Sequence, residues 1–129
     1  MNLTLTNFQD LIFSNNSFGE LCAQVQMTNI SSEIVGFKMK TTTPDRYKVR
    51  PSSGALKPGE TVVMEVRVKK NQNTSIGQDK FMIIAVSIPS SSSQSLHDTL
   101  RTSRPDAQYK LRCSIQQVNI DLDISNSIF

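Results

Sequence analysis

Alternation constrains this chain more than any other feature. From Thr61 to Lys69, Val62, Met64, Val66 and Val68 fall on one side of an extended backbone, and Val63, Glu65, Arg67 and Lys69 fall on the other, because successive side chains of a strand point to opposite faces. An apolar stripe of period two is hidden by packing one sheet face against another. Period-two or short apolar runs recur at Leu3–Leu5, Asp10–Phe13, Leu21–Asn29, Ile34–Thr42, Tyr47–Arg50, Lys80–Ile88 and Tyr109–Ile120. Between them stand turn-forming clusters: Asn15-Asn16-Ser17, Asn29-Ile30-Ser31-Ser32, Pro51-Ser52-Ser53-Gly54, Lys57-Pro58-Gly59-Glu60 and Asn71-Gln72-Asn73. Seven or eight short strands with little helical periodicity predict an all-β sandwich of two antiparallel sheets.

The 129 residues suit a single domain over residues 1–129, since a second core would have too little chain. At 37% hydrophobic and 19% charged residues, the composition is that of an ordinary globular protein with a buried core. Residues 90–108 break the strand pattern with a serine run, and they read as an exposed connection with a helical turn or two from Leu96 to Thr102.

Catalytic chemistry lacks its usual parts. Cys22 and Cys113 sit in apolar runs, too few for a disulfide framework, and read as buried free thiols. The sole histidine, His97, lies in the serine-rich segment, far in sequence from either thiol. Asp121 and Asp123 read as surface acids at the end of the last strand. No phosphate-cradling glycine loop and no metal-ligand spacing occurs. The expectation is a non-enzyme with no cofactor and no metal. No secretory leader is visible and no run reaches the roughly 18 apolar residues of a membrane span, which predicts a cytoplasmic protein with no membrane span in this chain.

The net charge of +3 excludes little, but its placement is uneven. Residues 1–36 carry Asp10, Glu20 and Glu33 and no base, whereas residues 37–50 carry Lys38, Lys40, Arg46, Lys48 and Arg50 against Asp45. On a strand, Lys38, Lys40 and Thr42 share one side, opposite Phe37, Met39 and Thr41. In the later run Lys80 and Met82 share a side, opposite Phe81 and Ile83. Should these strands be neighbours, lysines flank an exposed, polarizable methionine. Such a surface suits a peptide with an apolar anchor between acids, though the residues by themselves favour the plainer reading, a charged outer sheet face with one exposed methionine. Only Tyr47 could stack a base within the basic segment, so nucleic acid is not an expected partner.

The stretch FKMKTTTPDRYKVRPSSG, followed by KPGE, DKFM and YKLRC, resembles the major sperm protein (MSP) domain over nearly the whole chain, and within it the VAMP-associated protein (VAP) branch. The resemblance implies the MSP fold, an immunoglobulin-like seven-stranded β-sandwich. It also implies a non-enzymatic adaptor for FFAT-like motifs, two phenylalanines in an acidic tract, on partners such as lipid-transfer proteins at membrane contact sites. Carried over by motif, the peptide-binding residues are Lys38, Lys40, Thr41 and Thr42 in K-x-K-T-T, Lys80 and Met82 in K-F-M, and Lys110 in K-L-R-C. Met82 would wall a pocket for a phenylalanine, the lysines would receive acids, and Thr42 would hydrogen-bond the peptide.

The same resemblance makes Arg50-Pro51 a loop-shaping position and a candidate cis bond. Asp45 stands where VAP members carry a base, subtracting charge near the site, and Ser52 stands where they commonly carry Asn. VAP proteins continue through a coiled coil to a membrane anchor, and neither precedes Phe129; with such an anchor in the native protein the location would be the cytosolic face of the endoplasmic reticulum. Two alternatives accompany this reading. One is an MSP-type structural protein that self-assembles, although the VAP-like motifs favour weak or no self-association. The other is binding of acidic phospholipid by the basic surface.

Overall fold

Two sheets face each other across the apolar stripes that the alternation defines. The computed structural model describes residues 3–5, 10–69, 76–88, 100 and 107–115. Its strands are β1 (Leu3–Leu5), β2 (Asp10–Asn15), β3 (Leu21–Asn29), β4 (Ile34–Thr41), β5 (Tyr47–Arg50), β6 (Ser53–Leu56), β7 (Thr61–Val68), β8 (Lys80–Ile88) and β9 (Ala107–Ile115), with short 3-10 turns at Pro44–Arg46 and Ile76–Gln78. One sheet has β3 between β1 and β7, with β5 beyond β7. The other runs β9-β8-β4-β6, all antiparallel. β2 joins the two, pairing antiparallel to β3 through Ser14 and Asn15 and parallel to β9 through Asp10–Phe13.

The architecture is the expected immunoglobulin-like β-sandwich, with nine described strands where seven were expected. Each of the eight runs read from alternation contains a described strand, with residues 116–120 of the last run outside the described residues, and the ninth strand, β6, falls where the sequence reads as a turn. Ser53-Gly54 carries strong turn propensity, but pairing with β4 overrides it, with Phe37 opposite Gly54 and Lys38 opposite Ser53. Arg50-Pro51 is cis, at the point where the chain leaves β5, at the edge of one sheet, for β6, at the edge of the other.

Inward positions fill the core. Phe13, Phe37, Phe81, Leu11, Met27, Met64, Ile83 and Leu111 are fully buried, each contributing roughly 1.5–3 kcal/mol in the transfer picture. Tyr47 stacks edge-on against Phe81 at 4.8 Å and tilted against Phe13 at 5.8 Å. Buried Asn29 is satisfied by its turn: its amide donates to the carbonyls of Glu33 and Leu56, both at 2.8 Å, and its Oδ1 accepts from the Ser31 N–H at 2.9 Å.

Both cysteines are free, but only Cys113 is buried. Cys22 is half-buried because it takes the outward phase of β3 with exposed Gln24 and Gln26, a phase that the apolar neighbourhood conceals. β9 begins at Ala107, inside the segment read as a connection, and Leu100 is helical and buried. His97, the other residues of 89–106, the Asn71-Gln72-Asn73 turn, and Asp121 and Asp123 lie outside the described residues. Among the described residues no helix is long and apolar enough to cross a membrane.

Candidate functional site

Strand register decides which side chains meet. β8 lies between β4 and β9, with Lys40 opposite Met82 and Met82 opposite Lys110. Directly opposed residues have Cβ atoms about 4.5–5.5 Å apart, so one row across three strands reads Lys40, Met82, Lys110. The next row is Thr41, Phe81, Leu111, and the one after places Lys80 opposite Arg112, which is opposite Asp10. Alternation sends Phe81 and Leu111 into the core while Lys40, Lys80, Lys110 and Arg112 are exposed and Met82 is half-buried.

A groove of about 750 Å³ lies over these rows, lined by Lys40, Thr41, Thr42, Lys80, Met82, Lys110 and Arg112, with Phe81 and Leu111 contributing apolar surface. Its volume is in the range of sites that take a ligand or a few peptide residues. Six of the seven residues expected from the motifs therefore converge. Lys38 does not line the groove: it is exposed two residues earlier on β4, opposite Ile84 of β8 and Ser53 of β6. Asp45, expected to subtract charge here, is exposed in the Pro44–Arg46 turn and is not part of the lining.

Arg112 is the charged residue that motif transfer missed. The signal was present, since period two in Tyr109-Lys110-Leu111-Arg112 puts Lys110 and Arg112 on one face. Asp10 approaches Arg112 at 3.4 Å, both partly or largely exposed. An exposed pair of this kind is worth only about 0–1 kcal/mol, so it holds Arg112 weakly.

The threonine end of the groove is tied by backbone. Thr42 N–H donates to the Lys80 carbonyl at 3.1 Å, Lys80 N–H donates to Thr42 Oγ1 at 3.2 Å, and Thr41 Oγ1 donates to the same carbonyl at 3.0 Å. Thr41 thus spends its proton on the sheet end, whereas Thr42 accepts and keeps a proton to donate outward.

Next to this end in sequence lies a buried polar cluster. Asp79, 7% exposed, accepts from Arg46 Nη1 at 2.9 Å and from the Tyr47 hydroxyl at 2.5 Å, both on Oδ2. Burial, and then the bond to Asp79, push the Tyr47 phenol well above its ordinary range. Burial, and then the charge of Asp79, push the Cys113 thiol up from 9.0 to about 11, opposed by a hydrogen bond with Tyr47.

Among the described residues, the groove lining offers cations, two hydroxyls and apolar surface. That set has the chemistry to hold an acidic, partly apolar ligand. Fold and groove together define an immunoglobulin-like interaction module. The chain belongs to the MSP family: the family model "MSP (Major sperm protein) domain" matches residues 2–107. It is 32% identical over 117 residues to vesicle-associated membrane protein-associated protein A of Homo sapiens, covering 85% of this chain and 45% of that protein. To vesicle-associated protein 2-2 of Arabidopsis thaliana it is 33% identical over 94 residues, covering 68% of this chain and 24% of that one. The chain spans less than half the length of these relatives. The C. elegans MSP family member WR4 has the same fold, with a TM-score of 0.69 at 12% identity over 89% of this chain and 98% of that one.

Proposed function

We propose that the groove between β4, β8 and β9 captures short acidic peptides carrying phenylalanine, of the FFAT-like type, and that the protein is a non-enzymatic adaptor. The observation that carries the reading is the row Lys40, Met82, Lys110: a polarizable, half-buried thioether with a cation on either side. An aromatic anchor seated on Met82 works as a hot spot of about 2 kcal/mol or more. The exposed lysines add about 0–1 kcal/mol each and act mainly on association rate and selectivity. Placement at the cytosolic face of the endoplasmic reticulum, with lipid-transfer proteins among the partners, follows from the VAP-branch resemblance and concerns the whole protein. Self-assembly and acidic phospholipid binding have only the fold and the basic surface behind them.

The test is a titration of a fluorescent peptide with two phenylalanines in an acidic tract against the wild-type chain and the Lys80→Asp, Met82→Asp double variant. Saturable binding by the wild type and its loss in the variant are expected. Equal binding by both would remove the site assignment.

A further inference from the structure

We propose that Asp79 is a positioning residue for this groove: its buried carboxylate fastens Arg46 and Tyr47 beside the Thr42–Lys80 end and holds that end in one geometry. This rests on the groove being the binding site.

One end of the groove lies at two connections, the segment from β4 to β5 and residues 77–79, which lead into β8. Thr42 is on the first and Lys80 begins the strand after the second. Thr42 N–H donates to the Lys80 carbonyl at 3.1 Å and Lys80 N–H to the Thr42 hydroxyl at 3.2 Å, with Thr41 Oγ1 donating to the same carbonyl at 3.0 Å, at the end of a ladder where strands fray. Asp79 is the residue before Lys80. Its Oδ2 accepts from Arg46 in the Pro44–Arg46 turn and from Tyr47 at the start of β5, so one carboxylate spans both connections. The turn is tied onward in two directions: Arg46 N–H donates to the Thr43 carbonyl at 3.1 Å, and Lys69 N–H donates to the Arg46 carbonyl at 2.8 Å. Tyr47 anchors the arrangement from below, being 4% exposed and packed on Phe81, which also lines the groove.

Buried charge is retained at a desolvation cost unless it is paired and hydrogen-bonded. Asp79 has an arginine partner and a phenol donor, both charge-assisted. The clamp lets Thr42 and Lys80 meet a ligand already ordered, and preorganisation of this kind shows mainly in the dissociation rate.

The experiment compares wild type with Asp79→Ala, Asp79→Asn and Arg46→Ala in two measurements. Amide exchange of Thr42 and Lys80 is read against Val25 and Met64, which are paired on β3 and β7 of the other sheet. Dissociation of the acidic two-phenylalanine peptide is read by stopped flow. For Asp79→Ala, exchange at Thr42 and Lys80 should rise about tenfold more than at Val25 and Met64, and peptide dissociation should quicken about tenfold. Arg46→Ala should shift both in the same direction by less, and Asp79→Asn, which keeps an acceptor, should restore part of the loss. Exchange that rises equally at all four amides, or at none, overturns the proposal. Should the wild-type chain not bind the peptide, the functional reading falls, and the exchange pattern by itself still upholds or overturns the clamp. Should Asp79→Ala fail to fold, Arg46→Ala and Asp79→Asn decide.

Discussion

Lys40 and Met82 are direct partners across β4 and β8, and Met82 is in turn the direct partner of Lys110 on β9. Three residues separated by 42 and 28 positions in sequence thereby become one row about 10 Å wide. The row has a soft apolar centre and cationic ends, and the next row on the same face, two residues along, extends the charge through Lys80 and Arg112. An extended peptide laid across β8 meets apolar surface and charge at once.

Met82→Asp tests the centre of that row. Met82 is on the outer face and half-buried, so its replacement should change stability by no more than about 0.5 kcal/mol. Binding of the acidic peptide should weaken by at least about thirtyfold, equivalent to roughly 2 kcal/mol. Isothermal titration and a denaturant melt on the same preparation separate the two effects. A loss of binding accompanied by a matching loss of stability would show Met82 to be a packing residue and no more.

The flanking charges should behave differently. Lys40→Ala and Lys110→Ala remove exposed cations, and each should cost about 0–1 kcal/mol of affinity, chiefly as slower association. Raising the ionic strength from about 0.1 M to 1 M shortens the screening length from about 10 Å to 3 Å. Wild-type association should therefore slow steeply with salt while dissociation changes little. Stopped-flow traces across a salt series check this, and a salt-independent association rate would remove electrostatic steering from the account.

Much of this was readable in the sequence because sheet structure writes itself at period two. Thr61–Lys69 and residues 80–83 at the start of β8 declare their inner and outer faces through alternation, and the outward phase of Lys40, Lys80 and Met82 follows from it. From Ile83 to Val86 four consecutive residues are buried and the alternation is lost. What alternation does not carry is adjacency: nothing in the residues themselves makes β8 the neighbour of β4, and the motif resemblance supplied that. Propensity misled at Ser53–Leu56, where a turn-like composition is held as a strand by pairing with β4. At Cys22 an apolar neighbourhood hides the outward phase of a single position. The Asp79 clamp was invisible, since its partners Arg46 and Tyr47 are 33 and 32 residues away, and no local pattern marks a buried acid.

Alkaline pH should expose the buried cluster. The Cys113 thiol is raised from 9.0 to about 11, first by burial. The folded protein therefore keeps a proton that the unfolded chain releases. Stability is full below pH 9 and declines as pH rises from about 9 to about 11, by up to about 2–3 kcal/mol at 1.36 kcal/mol per unit. Tyr47, raised in the same direction, continues the decline at higher pH. Urea melts from pH 8 to 11 should show this slope, and Cys113→Ala should flatten it between pH 9 and 11 while lowering the whole curve through the small cavity it leaves. An identical slope in the variant would assign the alkaline loss to other groups.

Gly54 and Phe37 test the packing that makes β6 a strand. A Cβ built on Gly54 would meet Phe37 Cζ at 3.0 Å and Cε1 at 3.1 Å, and Phe37 is 1% exposed. The ring is enclosed by core and has little room to yield. Gly54→Ala should therefore destabilise the fold by about 1–3 kcal/mol through overpacking. Phe37→Leu removes ring atoms from the contact and should itself cost about 1 kcal/mol or more in lost burial. The two changes share one contact, so the double variant should be more stable than the sum of the singles predicts, with a coupling of about 0.5–3 kcal/mol. Guanidinium melts of the four proteins supply the cycle. Strict additivity would mean that the cost of Gly54→Ala lies in the β6 backbone, and that the close approach to Phe37 does not set it.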